Sequence, residues 1–502
     1  MTLENPVSGA AQVRPAVHFT PPKGWMNDPN GLVYFEGEYH LFYQYYPDAL
    51  VWGPMHWGHA VSSDLLHWQH LDTAMFPDQD GMCFSGSAIV DQHDSSGLFD
   101  GQPGLIAFYT AHRTLCEANN DYVEEQCIAY SRDRGRSWQK YAGNPIIAAP
   151  GFKDFRDPKV VWHAESRHWI MALACGQSIR FYRSSNLLDW HLASEFGAGQ
   201  GAHTSGPWEC PDLFELPLQD GGSRWVLVVN VGAAPPDDEW GSFAQYFVGD
   251  FDGERFHNEN PPEQVLLLDE GRDFYAVQTW SDVTDGRRLA IAWVNNWLYA
   301  NQTPASGWRG GMSLPRELSL VNTPQGPRLQ QCFVRELYAD GLERAPQVDG
   351  LRLVAGQSFQ TNVASGPQWG RARLLLEPGT TAELHLQQET GPSLVLSHDG
   401  QVLRLQHRRE GENGDERFDR YYPHVFDVEA GPSGLLTLEW LCDHGSQELL
   451  VNDGRLSITH LSIEATGGLA PLLKVTAGVA SLEVLHADGL LRSAPVVGQE
   501  VA

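Results

Sequence analysis

Between about residues 24 and 320 one pattern is written five times, and it limits the folds open to this chain more than any other feature. An anchor of polar or small residues leads into an apolar strand, a turn and a second apolar strand. The five openings are Asp28-Pro29-Asn30-Gly31-Leu32, Phe84-Ser85-Gly86-Ser87-Ala88, Arg156-Asp157-Pro158-Lys159-Val160, Glu209-Cys210-Pro211-Asp212-Leu213 and Asp273-Phe274-Tyr275-Ala276-Val277. Their partners are the apolar runs 40–45, 105–109, 169–173, 225–229 and 289–293. A second echo runs through the same region: Ser63-Asp64-Leu65-Leu66-His67-Trp68 recurs as Ser185-Asn186-Leu187-Leu188-Asp189-Trp190, with a looser copy at Ser131-Arg132-Asp133 and Ser137-Trp138. Each copy falls where a third strand gives way to a turn and an outer strand.

Repeats of roughly 50–70 residues, each about four short strands, are the mark of propeller blades. The expectation is an all-β protein with a five-bladed β-propeller over 1–325. The first strands of such blades surround one axis, so the anchors converge on one funnel. Asp28, Asp157 and Glu209 then meet in a single cavity, although 129 and 52 residues separate them along the chain. A large β-sandwich would not explain why the anchors recur at the start of each first strand. Residues 326–345 read as a connecting segment with some helical character. From 346 to 502 the pattern has period two, as in Ala382-Glu383-Leu384-His385-Leu386, with turn formers such as Asn452-Asp453-Gly454 between strands, which predicts an antiparallel β-sandwich.

With 63 acidic residues against 34 Lys and Arg, the net charge of −29 argues against nucleic acid and against anionic membrane surfaces. No apolar run approaches the ~20 residues of a membrane span. The first thirty residues lack a charged region followed by an apolar core, and the seven cysteines form no CxxC pair. These features predict a cytoplasmic chain with no disulfide framework and no zinc site; no cofactor is expected. Exposed strands of the second domain are the expected surface for a homodimer.

An acid before proline is most simply a turn. Three acids on one axis are different, because like charges in a concave site repel, and a fold keeps them mainly where chemistry needs them. Two carboxyls flanking a scissile bond are the equipment of glycoside hydrolysis. Asp28, held in a sharp turn among backbone N–H groups, is the expected nucleophile. Glu209, beside Trp208 and apolar neighbours, is the expected acid/base, with a raised pKa. Asp157 remains for binding; beside Arg156 it is expected to stay charged and to accept hydrogen bonds from substrate hydroxyls.

Trp25-Met26-Asn27-Asp28-Pro29-Asn30-Gly31, Phe84-Ser85-Gly86-Ser87, Phe155-Arg156-Asp157-Pro158-Lys159 and Trp208-Glu209-Cys210-Pro211-Asp212 closely resemble the motifs of glycoside hydrolase family 32, the invertases, exo-inulinases, levanases and related fructosyltransferases. Met312-Ser313-Leu314-Pro315-Arg316-Glu317 and Val451-Asn452-Asp453-Gly454 look like further landmarks, so the resemblance spans nearly the whole chain. It implies a propeller with a β-sandwich, retaining double displacement without a metal, Asp28 as nucleophile, Asp157 as transition-state stabiliser and Glu209 as acid/base. It also implies a fructose pocket lined by Asn27, Gln44, Trp52, Ser85, Arg156 and Trp297. Three departures stand out: Tyr46 where the family commonly has Asn, Leu449-Leu450 for a more usual Val-Phe, and the Gly-rich segment 199–207. The first and third are expected at the pocket rim.

The expected activity is release of terminal non-reducing β-D-fructose from sucrose and short fructooligosaccharides. The alternatives are transfer of fructose to sugar acceptors, exo-hydrolysis of polymeric inulin or levan, and a non-catalytic sugar-binding propeller, which the presence of all three acids disfavours.

Overall fold

The computed structural model describes residues 14–232, 241–303, 305–339, 348–361, 367–386, 393–399, 403–408, 424–428, 434–462 and 472–489. The described chain is built of strands, with three short 3-10 turns. Five separate antiparallel sheets follow one another. The first holds β1 (Gly24–Phe35), β2 (Glu38–Tyr46), β3 (His56–Ser62) and β4 (Gln69–Met75), and the second β5 (Met82–Asp91), β6 (Gly104–Cys116), β7 (Asp121–Ser131) and β8 (Gln139–Lys140). The third comprises β9 (Phe155–His163), β10 (His168–Cys175), β11 (Ser178–Ser184) and β12 (His191–Phe196), and the fourth β13 (Trp208–Pro217), β14 (Ser223–Val231), β15 (Phe243–Phe251) and β16 (Phe256–Asn258). The fifth begins with β17 (Tyr275–Thr279) and β18 (Arg288–Trp293). The short β19 (Trp308–Arg309) then pairs in parallel with β1, and β20 (Arg316–Thr323) and β21 (Gly326–Phe333) complete the fifth sheet.

The first strands pack against one another in cyclic order: β1 on β5, β5 on β9, β9 on β13, β13 on β17, and β17 back on β1. Each carries an irregularity at the same place. Met26 and Pro29 face Tyr45 and Tyr43, three steps against two, so one residue of β1 is extra. The same one-residue bulge lies between Cys83 and Gly86, Arg156 and Lys159, Glu209 and Asp212, and Tyr275 and Gln278. Asp157, Cys210 and Ala276 take left-handed backbone at the second step, with φ of 63°, 42° and 53°. Non-glycine residues adopt this region at a cost, and bulges re-aim side chains beside active sites.

The second echo is a repeated turn. In the first three sheets a serine hydroxyl ending the third strand (Ser62, Ser131, Ser184) donates to Asp64, Asp133 and Asn186 at 3.0, 2.8 and 3.1 Å. The indole N–H of Trp68, Trp138 and Trp190 then donates to the carbonyl three residues earlier, at 3.2, 3.0 and 3.0 Å. The residues bearing those carbonyls, Leu65, Gly135 and Leu187, have φ of 64°, 76° and 67°. These tryptophans close turns and pack against the cores of their sheets.

The connector expected over 326–345 needs correction at its start. Gly326–Phe333 pairs along its length with β20, so it is the outer strand of the fifth sheet, and a 3-10 turn follows at Arg335–Tyr338. From Val348 two six-stranded antiparallel sheets share one apolar core that includes Leu374, Leu438 and Leu482 from one sheet and Ala382, Leu396 and Leu473 from the other. The turn Asn452-Asp453-Gly454 touches β21: Gln331 N–H donates to the Gly454 carbonyl at 2.9 Å. A Cβ at Gly454, whose φ is 82°, would lie 1.6 Å from the Gln331 carbonyl oxygen, so this close approach needs glycine.

Between the two regions runs a buried charged network. The Arg316 guanidinium contacts Asp269, Glu448, Gln331 and Thr459 at 2.5 to 3.1 Å, over the Phe274 ring at 4.4 Å. Glu448 also accepts from Leu314 N–H at 2.7 Å and sits 2.8 Å from His18, whose other ring nitrogen is 2.9 Å from Asp443. The N-terminal segment at His18, the fifth sheet and its approach, and the C-terminal sandwich are tied at one point.

Candidate active site

In a regular strand successive side chains point to opposite faces. The bulges break that rule where it matters, because adjacent residues Asn27 and Asp28, Phe84 and Ser85, and Arg156 and Asp157 all line one cavity of about 960 Å³. All nine residues singled out from the sequence line it: Asn27, Asp28, Gln44, Trp52, Ser85, Arg156, Asp157, Glu209 and Trp297.

Asp28 has both oxygens engaged: Asn27 Nδ2 donates to Oδ1 at 2.9 Å and Ser85 Oγ to Oδ2 at 2.6 Å. Trp25 Nε1 donates in turn to Asn27 Oδ1 at 2.8 Å, fixing the amide's orientation. Cys210 Sγ lies 3.5 Å from Oδ2 of both Asp28 and Asp157, so those oxygens are within twice that distance of each other. Asp157 accepts from Cys210 N–H at 2.9 Å. Glu209 is held on both sides: Arg156 Nε and Nη2 donate to Oε1 at 3.2 and 3.0 Å, and Tyr275 Oη donates to Oε2 at 2.5 Å. Elsewhere in the lining, Trp297 stacks on Trp25 at 6.1 Å, Trp52 is 39% exposed, and the buried Gln44 donates through Nε2 to the Cys83 carbonyl at 2.9 Å.

Burial raises Glu209, with Asp28 adding to the effect and Arg156 and Tyr275 opposing it. Asp157, expected beside Arg156 as a charged partner, takes no hydrogen bond from that guanidinium. Burial, reinforced by Glu209 and Asp28, outweighs Arg156 and pushes it up to about 8. The geometry supplies the reason: the guanidinium spends its hydrogen bonds on Glu209, Glu124 and Asp154. Among the described residues, no group of three or more His, Cys, Asp or Glu is disposed to hold a metal ion.

Sequence reasoning did not assign roles to Tyr275, Cys210, Glu124 or His112. Tyr275 and Cys210 stood inside anchors already quoted, and only the register of the bulge shows that they face the acids. Glu124 and His112 lie on β7 and β6, where no anchor marks them. Neither Tyr46 nor any residue of 199–207 lines the cavity itself; Tyr46 lies behind Gly53, which does. His203 instead stacks on Trp208 at 4.7 Å and so backs the strand that carries Glu209.

The Tyr275 contact makes a testable statement. A hydrogen bond donated to a carboxylate favours the ionised form, so Tyr275→Phe should raise Glu209 further. The alkaline limb of kcat/KM should move up by about one to two pH units, from the ~1.5–3 kcal/mol of a charged hydrogen bond. A limb that stays in place would assign it to another group, with Asp157 the obvious one.

A cavity with clustered acids, one of them clamped between an arginine and a tyrosine, offers the pair of carboxyls that glycoside hydrolysis uses. The family model for the N-terminal domain of glycosyl hydrolases family 32 matches residues 18–332, and the chain belongs to that family. It is 45% identical over 468 residues to a levanase of Bacillus subtilis, covering 89% of this chain and 66% of the levanase. It is 43% identical over 321 residues to invertase 1 of Saccharomyces cerevisiae, covering 61% of this chain and 58% of the invertase. The chain thus spans less than two thirds of either relative. A crystal structure of exo-inulinase from Aspergillus awamori superposes with a TM-score of 0.83 at 31% identity, covering 95% of this chain and 97% of that one.

Proposed function

We propose that the chain is a retaining β-fructofuranosidase that releases terminal β-D-fructose from sucrose and short fructooligosaccharides, on a five-bladed propeller joined to a β-sandwich. The cyclic packing of the five first strands supports the propeller. The observation that carries the activity is the meeting of Asp28, Asp157 and Glu209 in one cavity.

In this reading Asp28 attacks the anomeric carbon of the fructosyl unit as the glycosidic C–O bond breaks. Glu209 gives its proton to the departing oxygen, and a fructosyl ester on Asp28 results. Water then attacks that carbon, its proton passes to Glu209, and the ester bond to Asp28 breaks. Ser85 and Asn27 orient the attacking carboxyl. Asp157, held by the Cys210 N–H, meets the sugar hydroxyls.

A second reading, exo-hydrolysis of longer fructans, draws support from the names levanase and exo-inulinase among the relatives and from the cavity's reach to Thr114 and Glu117 on the exposed end of the β6–β7 hairpin. Initial rates on sucrose, 1-kestose, inulin and levan, with glucose and fructose counted separately, test both. Sucrose and 1-kestose are expected to be turned over fastest. Levan or inulin as the best substrate would favour the second reading, and accumulation of kestose-type products at high sucrose would favour transfer. No fructose from any of the four would refute the assignment.

A further inference from the structure

We propose that His112, held by Glu124, accepts a hydroxyl hydrogen from the sugar that leaves when fructose is released, and so sets leaving-group selectivity; this rests on the fructosidase reading. His112 stands at the lip of the cavity. Strand β6 is buried through His112 and exposed from Arg113 to Cys116. Two bonded paths from the reacting groups end there. Ser85, which donates to Asp28, follows Phe84, whose ring stacks on His112 with centroids 4.2 Å apart and planes 14° apart. Glu209 is tied to Arg156, Arg156 Nη1 donates to Glu124 at 3.1 Å, and Glu124 Oε1 lies 3.1 Å from His112 Nδ1. A sugar beyond the cleaved bond therefore meets this residue as it leaves the cavity.

The ring can interact in one way only. Phe84 covers one face, and Tyr122 lies against the ring at 4.8 Å, so a sugar meets the edge of the imidazole and does not stack on it. The tautomer follows from Glu124. Burial raises that carboxyl, but Arg156, His112 and the Phe155 N–H more than offset it and hold it below its ordinary value. An anionic carboxylate is an acceptor only, so Nδ1 carries the hydrogen, and Nε2 of the neutral ring presents a lone pair. Among the described residues Nε2 has no protein partner, and the side chain keeps 11% exposure toward the cavity. A hydroxyl of the departing sugar completes it.

The test compares sucrose with methyl β-D-fructofuranoside, whose leaving group is methanol and carries no hydroxyl for Nε2. In His112→Phe the ratio of kcat/KM for sucrose to that for the methyl glycoside should fall about tenfold, mainly through the KM for sucrose. His112→Gln, whose side-chain carbonyl can accept the same hydrogen, should restore part of the ratio. His112→Ala carries the same expectation as His112→Phe where the latter does not fold. A ratio within twofold of wild type in the folded Phe or Ala variant would overturn the assignment. A wild-type enzyme inert on both glycosides would overturn the fructosidase reading instead.

Discussion

Asp28→Asn should lower fructose release from sucrose by at least about 10⁴-fold, equivalent to roughly 5 kcal/mol of lost transition-state stabilisation. The substitution preserves volume, and the neighbouring donors remain: Asn27 Nδ2 and Ser85 Oγ stand 2.9 and 2.6 Å from the two side-chain oxygens. What disappears is the anionic oxygen that bonds to the anomeric carbon. The loss should therefore fall in kcat with little change in substrate affinity, which separates removal of chemistry from collapse of the pocket. Glu209→Gln should cost less, about 10²–10⁴-fold, because general acid–base assistance is lost while the nucleophile stays. Steady-state kinetics on both variants, with thermal unfolding to confirm the fold, checks this. An Asp28→Asn enzyme within tenfold of wild type would place the nucleophile elsewhere.

The second large effect concerns the joint between the two regions. Glu448→Leu should destabilise the protein by about 3–5 kcal/mol, seen as a fall in Tm of about 3–5 °C for a chain of this length, because it leaves the Arg316 guanidinium and His18 buried without their shared anion. The same network gives stability a defined pH dependence. Burial lowers His18, but Asp443 and Glu448 overcome it and raise the imidazole to about 9. Its stabilisation is complete below the ordinary value of 6.5 and is lost as pH rises through about 9. Burial raises Asp443, but His18 and the Ala16 and Val17 N–H groups overcome it and hold the carboxyl at about 2. Its contribution is complete above 3.8 and is lost as pH falls through about 2. Tm should therefore be highest between about pH 4 and 6.5 and decline toward pH 9. In His18→Gln the alkaline decline should flatten. A decline of unchanged steepness in that variant would show that another group governs it.

Much of this was legible from periodicity. The anchors located the first strand of each of the five N-terminal sheets, and the tryptophan echo located the turn into the outer strand in three of them. The misplaced boundary at 325 has a simple cause. Gly326-Pro327-Arg328-Leu329-Gln330-Gln331 carries little apolar alternation, because an outer strand buries only part of one face, and proline is tolerated at its start. The pairing expected between Asp157 and Arg156 is absent for a different reason. Sequence adjacency to Arg156 says nothing about direction, and the bulge sends the guanidinium toward Glu209 and Glu124. Glu124 and His112 were invisible because their site is made by pairing between β6 and β7 and by stacking on Phe84, neither of which leaves a motif.

The shared bulge has a consequence for how this site can vary. Aligned on the bulge, Glu209 occupies its first step with Arg156 and Tyr275, Asp157 its second with Cys210, and Asp28 its third with Ser85. Three acids thus reach one point from three different phases of a single backbone irregularity. Substitution at any step exchanges one functional group and leaves the ladder intact. Loss of one residue from the step would restore the register and turn a neighbouring pair such as Asn27 and Asp28 to opposite faces. The chemistry of this chain is therefore written in phase as much as in side chains: a replacement leaves the ladder standing, and a change of count does not.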